Sequence, residues 1–136
     1  MMVAAIVVGA TAASAQDGTL PFTIDTVRLA ADRHTVVVSG TYTCPPLDLN
    51  VPGGGGTIDL TVQQGRVAGF GFVAIQVCDG STQAWQADVT TFGARQFKRG
   101  TASASASGDV NGADPTGQPV HLRVDIASQQ VTITRG

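Results

Sequence analysis

The sequence predicts an all-β domain, a sandwich or a barrel of about eight antiparallel strands, and three observations support this class. Among its 136 residues, 17 are Val and 16 are Thr, both of which favour strands. The ten acidic residues are all Asp and the only Lys is Lys98, so the chain lacks the Glu and Lys from which exposed helices are built. The 17 Gly and six Pro provide the turns that separate short strands.

The N-terminal segment is predicted to be a signal peptide, residues 1–15. Residues 3–13 are apolar and uncharged, and Ala13-Ser14-Ala15 has the small residues that signal peptidase accepts. No Lys or Arg precedes the apolar run, which leaves open a start upstream of Met1, and a first strand of the domain is the alternative. Since the run is shorter than the ~20 residues that span a bilayer, and no second one follows, we expect one secreted domain, residues 16–136, with no membrane span.

Eight segments are predicted to be strands because apolar and polar residues alternate in them or β-formers dominate. The alternation is clearest in Thr57–Val62 and in Pro119–Ala127. The connections carry turn residues, above all the long segment 45–56 with its three prolines and four glycines. The predicted strands are Thr23–Ala30, Thr35–Cys44, Thr57–Val62, Arg66–Cys78, Ser81–Phe92, Gly100–Ser107, Pro119–Ala127 and Gln130–Arg135, the last two joined by a Ser128-Gln129 turn.

Cys44 and Cys78, the only cysteines, are predicted to form a disulfide in an exported chain. Free thiols and a metal site are the alternatives, but zinc requires four ligands, and His34 and His121 are distant in sequence. Chain-entropy arguments give such a loop roughly 3.5–4 kcal/mol of stabilisation.

Two hairpin turns predict which side chains share a face. A two-residue Asp79-Gly80 turn would place Phe70, Phe72 and Trp85 on one face. A three-residue Gln63-Gln64-Gly65 turn would add Ile58, Leu60 and Val62 to that face. The same register places three apolar side chains on the outer face, where we expect either a partner or self-association surface or a covering segment of the chain. They are Val73, Ile75 and Val77.

No pattern predicts catalysis, so the chain is not expected to be an enzyme. There is no G-x-S-x-G motif, and the serines of residues 103–107 alternate with alanines as in a strand with one small-residue face. His34 lies in a predicted turn and His121 on the polar face of a predicted strand. Both are interpreted as solvated surface residues.

Four features have a binding interpretation beside a structural one. Asp109, Asn111 and Asp114 have oxygen ligands at a spacing that suits weak Ca²⁺ binding, but a polar turn is favoured, so no metal or cofactor is predicted. Residues 53–56 lack the Lys of a phosphate-binding loop and are interpreted as a flexible loop.

Trp85 is either a core aromatic near the disulfide or a ligand-stacking residue. The basic group Arg95, Lys98 and Arg99 is either a solvated turn or a contact for polyanions. Since the net charge is −2, no nucleic-acid partner is expected.

The segments GTYTC at 40–44 and VCDG at 77–80, with Trp85 and the F-x-x-G-x-A-x-A pattern that begins at Phe97, resemble a domain of unknown function in small exported actinobacterial proteins. The resemblance covers roughly residues 23–108 and implies an immunoglobulin-like β-sandwich. It implies no activity. We therefore expect a secreted, non-catalytic binding or cell-envelope structural module whose partner is an unknown protein or envelope component. A looser resemblance to the enediyne-binding apoproteins of actinomycetes gives the alternative, a carrier of a small apolar molecule with a cleft beside Trp85 and the glycine-rich loop.

Overall fold

The computed structural model describes residues 16–135, and within that range the chain forms eight strands and no helix. The all-β class is therefore confirmed, whereas the predicted signal peptide, residues 1–15, lies outside the described residues. The strands are β1 (Gln16–Thr19), β2 (Thr26–Leu29), β3 (Thr35–Thr43), β4 (Gly55–Gln64), β5 (Val67–Ala74), β6 (Thr82–Thr91), β7 (Gly100–Ala113) and β8 (Pro119–Arg135).

Seven of these strands close into a barrel within the described range, so the predicted immunoglobulin-like sandwich is wrong. The order around the barrel is β2, β3, β6, β5, β4, β7 and β8, and β8 returns to β2. Closure depends on the 17-residue β8, which is antiparallel to β7 and also parallel to β2, where Leu29 lies opposite Arg135. Closing the sheet leaves none of these seven strands at a free edge, whereas each sheet of a sandwich keeps its edge strands.

The predicted turn at Ser128-Gln129 is instead a bulge inside β8. Ala104 of β7 pairs with Gln129 and Ala106 pairs with Ile126, so β8 has one residue more than β7 between these pairs. A bulge bends a strand without ending it. The two predicted strands on either side are therefore one strand, and β1, which was not predicted, runs parallel to its first half.

The barrel is filled by small and branched apolar side chains. Alanines of β7 point inward and alternate with outward-facing serines, as the Ala/Ser alternation predicted. One aromatic ring, Phe97, enters from the connection between β6 and β7 and is 1% exposed. The largest fully buried side chains also include Leu20, Val27, Val36, Val38, Ile58, Val62, Val89, Val110 and Ile133.

The turn between β4 and β5 is Gly65-Arg66, so the predicted Gln63-Gln64-Gly65 loop and its register are wrong. Ile58 pairs with Val73 instead of Phe70. Val73 and Ile75 therefore face the interior, at 6% and 3% exposure, whereas Phe70 and Phe72 point outward. The predicted outer stripe of Val73, Ile75 and Val77 does not exist, although Val77 itself is exposed.

The distribution of side chains in β5 is unusual because two of its inward-facing positions are glycines. A Cβ on Gly69 would lie 2.9 Å from Cζ of Phe97, and one on Gly71 would collide with the carbonyl oxygen of Asp88. The Phe97 ring and the β6 backbone therefore occupy the space that side chains of β5 would fill. The large apolar side chains of this strand consequently lie on the outside, contrary to the usual pattern.

The predicted two-residue hairpin at Asp79-Gly80 is also wrong, because β5 ends at Ala74 and β6 begins at Thr82. The connection between them, residues 75–81, folds onto the end of β3, where the amide of Gly80 donates to the carbonyl of Cys44 at 2.8 Å. The predicted disulfide between Cys44 and Cys78 is confirmed and joins these two segments.

Gly65 adopts a φ of 59°, which favours glycine. We expect Gly65→Val to lower the free energy of unfolding by about 1–2 kcal/mol, because a β-branched residue is strained at positive φ. Gly93→Val is the matched control, since Gly93 has an ordinary φ and its nearest neighbour would be 3.9 Å from an added Cβ. Urea denaturation measures both. Equal effects would contradict the assignment of the strain to Gly65.

Candidate functional site

The connections of the barrel alternate between its two ends. Residues 30–34, 65–66 and 92–99 lie at the end where the even-numbered strands finish, together with the last residues of β2 and β8. We name this end the arginine end. Residues 44–54, 75–81 and 114–118 lie at the opposite end, which we name the acidic end.

The charged side chains of the described residues separate along the barrel axis. Seven of the eight Lys and Arg residues lie at the arginine end. They are Arg28, Arg33, Arg66, Arg95, Lys98, Arg99 and Arg135. The connections of the acidic end contain Asp48, Asp79 and Asp114 and no Lys or Arg. The net charge of −2 therefore hides the concentration of positive charge at one end of the barrel.

Within residues 16–135, none of the seven cations at the arginine end forms an ion pair. The one carboxylate in the connections of that end, Asp32, accepts hydrogen bonds from the backbone amides of His34 and Thr35, both at 3.0 Å. The Asp32 carboxylate therefore stabilises the turn in which it lies. Clustered cations without counter-ions repel one another, and a bound anion relieves that repulsion.

Four of these cations line one cleft of about 490 Å³, which we name the arginine cleft. Its lining also includes the apolar residues Leu29 and Val37. Arg28 extends toward Gln86, whose Oε1 lies 3.4 Å from its Nη2. The carbonyl of Arg33 accepts the Phe97 amide at 2.8 Å, which ties the connection after β2 to the one after β6. The four cations are Arg28, Arg33, Arg99 and Arg135.

A second feature of the arginine end is a pair of exposed aromatic rings, Phe70 and Phe92, which we name the phenylalanine pair. Their centroids are 5.8 Å apart with an interplanar angle of 23°, and they are 51% and 85% exposed. Arg66 and Arg95 join them around a shallow cleft of about 400 Å³. The pair thus presents apolar surface flanked by positive charge.

Hydrogen bonds stabilise the ionised form of two carboxylates at the acidic end. The Ser81 hydroxyl, donating at 2.6 Å, is the main cause that lowers the pKa of Asp79. The Thr116 hydroxyl, also at 2.6 Å, has the same effect on the pKa of Asp114. Asp is ionised at neutral pH even at its ordinary pKa, so these hydrogen bonds extend the ionised range to lower pH.

Trp85 lies in the core rather than in a cleft. Its ring stacks on Phe22 with centroids 4.9 Å apart, and its Nε1 donates to the carbonyl of Thr41 at 3.3 Å. The cleft beside the glycine-rich segment, about 340 Å³, is lined by residues 51–54 and by β7 and β8, without Trp85. The structure therefore does not bring together the two parts of the predicted carrier cleft.

The other predicted candidates also lie apart. The Asp109 and Asn111 side chains belong to β7, whereas Asp114 caps the turn before β8. His121 contacts the carboxylates of Asp17 and Asp109 at 3.3 and 3.4 Å, and His34 lies at the other end of the barrel. Among the described residues, no group of three or more His, Cys, Asp or Glu could hold a metal ion.

Sequence reasoning identified Arg95, Lys98 and Arg99 but missed the arginines that the fold adds to them. The available signal was their position, since the cations other than Arg123 and Arg135 lie in or beside alternate connections, and Arg135 ends β8 at the same end of the barrel. Alternate connections of an antiparallel sheet lie at the same end, so the cluster was encoded in the strand order.

No family model, curated protein or solved structure matches this chain. The resemblance to the exported actinobacterial domain therefore stays a prediction. In the part of the chain that the structure describes, no helix has the length and apolar character needed to cross a bilayer.

Proposed function

We propose that this chain is an exported, non-catalytic binding domain that holds an anionic group in the arginine cleft. The observation that carries the proposal is that four arginines line one cleft and form no ion pair among the described residues. Arginine presents planar donors that match phosphate, sulfate and carboxylate groups. The disulfide supports the export part of the proposal, since such bonds persist outside the reducing cytosol.

The filled interior of the barrel favours binding at the surface over carriage of an apolar molecule inside the barrel. The barrel interior is occupied by side chains, including Phe97 and the alanines of β7. Ligand contact therefore falls to the outer surface and the ends. At the arginine end the cations are exposed apart from the half-buried Arg28, so an anion reaches them without opening the barrel.

The proposal predicts that the cleft arginines contribute more than others at the same end. Isothermal titration with pyrophosphate at low ionic strength should show binding to the unmodified domain. The double variant Arg33→Gln/Arg99→Gln should bind about 100-fold more weakly, because a charged hydrogen bond of about 1.5 kcal/mol corresponds to roughly tenfold in affinity. Added salt should weaken binding by screening.

Arg66→Gln/Arg95→Gln is the matched control, because it also removes two charges from the same end without touching the cleft. It should change the affinity less than threefold, roughly the effect of distant charges in a screened solvent. Absence of pyrophosphate binding to the unmodified domain would refute the proposal. An equal loss in Arg66→Gln/Arg95→Gln would show that diffuse charge acts instead of the cleft.

A further inference from the structure

The phenylalanine pair lies at the rim of the arginine end, and its exposure calls for an explanation beyond anion binding. Phe92 is 85% exposed in the connection after β6, and Phe70 stacks against it. Large apolar side chains that cluster on a surface mark a contact with another apolar phase or partner. Here the cluster is flanked by Arg66 and Arg95.

Resting on the proposed anion-binding function, we propose that the partner is a bilayer surface that contains anionic phospholipid. The arginine end faces the lipid headgroups, and Phe92 and Phe70 insert at the boundary between headgroups and acyl chains. Apolar side chains combined with basic ones are the physical basis of such peripheral binding. The phosphate of a lipid headgroup is the anion that the arginine cleft receives.

The distribution of the cations fits a plane better than a strand-shaped ligand. They come from three connections and from the last residues of β2 and β8. The cations therefore surround the end of the barrel instead of following one groove. A flat anionic surface contacts all of them together. Each basic side chain near such a surface raises partitioning about fivefold.

The carboxylates of the outer wall limit the depth of insertion. Phe72 follows Phe70 by two residues, roughly 7 Å farther from the arginine end, and Asp59 lies opposite it on β4. Asp88 lies opposite Val37 on the same outer wall, and Asp32 is the one carboxylate of the connections at this end. We therefore place Phe72 near the headgroup level and keep the acidic end away from the membrane, since its charge opposes an anionic surface.

The test is flotation of the whole domain with vesicles of phosphatidylcholine, with and without about one third phosphatidylglycerol. We expect binding to the anionic vesicles alone, lost in high salt. Phe92→Ser should weaken binding about tenfold, in keeping with removal of one inserted phenyl ring. Val77→Ser is the matched control, because it removes an exposed apolar side chain from the acidic end and should leave binding unchanged.

A second measurement reports insertion directly. In Phe92→Trp the emission should shift to the blue on addition of anionic vesicles, and in Val77→Trp it should not, with the same background from the buried Trp85 in both. Vesicle binding that Phe92→Ser leaves intact would overturn the insertion.

Failure of the vesicle experiment and failure of the proposed function are distinguishable. Binding of pyrophosphate without binding of anionic vesicles overturns the membrane proposal and preserves the anion-binding function. Absence of both overturns both. Tight binding of a single-stranded oligonucleotide in place of vesicles also overturns the membrane proposal, and would assign the exposed phenyl rings to base stacking.

Discussion

Replacement of Phe97 by alanine is expected to lower the free energy of unfolding by about 3–5 kcal/mol. Phe97 is 1% exposed and its ring packs on the backbone of Gly69, which has no side chain to fill a void. Because glycine cannot repack, the cavity left by the ring would persist. Urea denaturation with an unchanged m-value measures the loss.

Phe92→Ala is the matched control for this prediction, because Phe92 belongs to the same connection but is 85% exposed. Its effect on stability should stay within about 0.5 kcal/mol, as for ordinary surface substitutions. Similar losses in both variants would contradict the role of Phe97 as the residue that fills this end of the barrel.

The Phe97 variant also tests the link between packing and the candidate site. The Phe97 amide donates to the carbonyl of Arg33, and the neighbouring residues Lys98 and Arg99 carry charge at the arginine end. Loosening this connection should weaken pyrophosphate binding under conditions where the domain is still folded. Such a loss would show that the site depends on the core beneath it.

The fold class and most strands were predictable because they follow from local residue preference. The alternation in β4, β6 and β7 survives in the structure, with Ile58 and Ala104 inward and Asp59 and Ser105 outward. Such patterns report which side of a strand is buried. They contain no information on which strands become neighbours.

Closure of the barrel was not predictable from local pattern because it rests on one irregular pairing. The Ser128-Gln129 segment has turn-like composition, yet β8 continues through it by a bulge and reaches β2. With a turn at this point the sheet would keep two free edge strands. The bulge instead lets β8 pair with both β7 and β2. The choice depends on contacts between residues about 100 positions apart in sequence.

The register of β5 failed for a different reason. The faces were assigned through the predicted two-residue Asp79-Gly80 turn, which placed Phe70 and Phe72 on the face of Trp85, in keeping with the rule that large apolar residues point inward. In this strand Gly69 and Gly71 face the interior, because Phe97 and the β6 backbone already occupy it. The same inversion places a phenylalanine pair at the surface, so the position where the rule fails is also where the candidate membrane contact lies.

Removal of the disulfide should cost about 3.5–4 kcal/mol, because Cys44 and Cys78 close a loop across a sequence separation of 34. The bridge acts where the sheet is weakest. β5 pairs with β6 at Gly69 and Phe70, at the arginine end, and the two strands separate toward the acidic end. There the connection 75–81 is held by the disulfide and by hydrogen bonds to β3 and to the segment after it.

Those hydrogen bonds alone are expected to be insufficient. The amide of Leu47 donates to the carbonyl of Cys78 at 3.1 Å, and the Tyr42 hydroxyl donates to the carbonyl of Val77 at 3.2 Å. Both hydrogen bonds involve the connection 75–81, which the disulfide holds in place. In Cys44→Ala/Cys78→Ala, amide exchange should accelerate in residues 75–81 beyond the global change, since this segment opens locally before the barrel unfolds.

Reduction of the unmodified domain supplies the control, because it breaks the same bond without altering the side chains. The reductant should destabilise the unmodified domain by nearly as much as the double substitution does, and should have no effect on the double variant. A loss below about 1 kcal/mol would contradict the chain-entropy argument. Pyrophosphate binding should persist in the folded double variant, because the disulfide lies at the acidic end and the arginine cleft at the other.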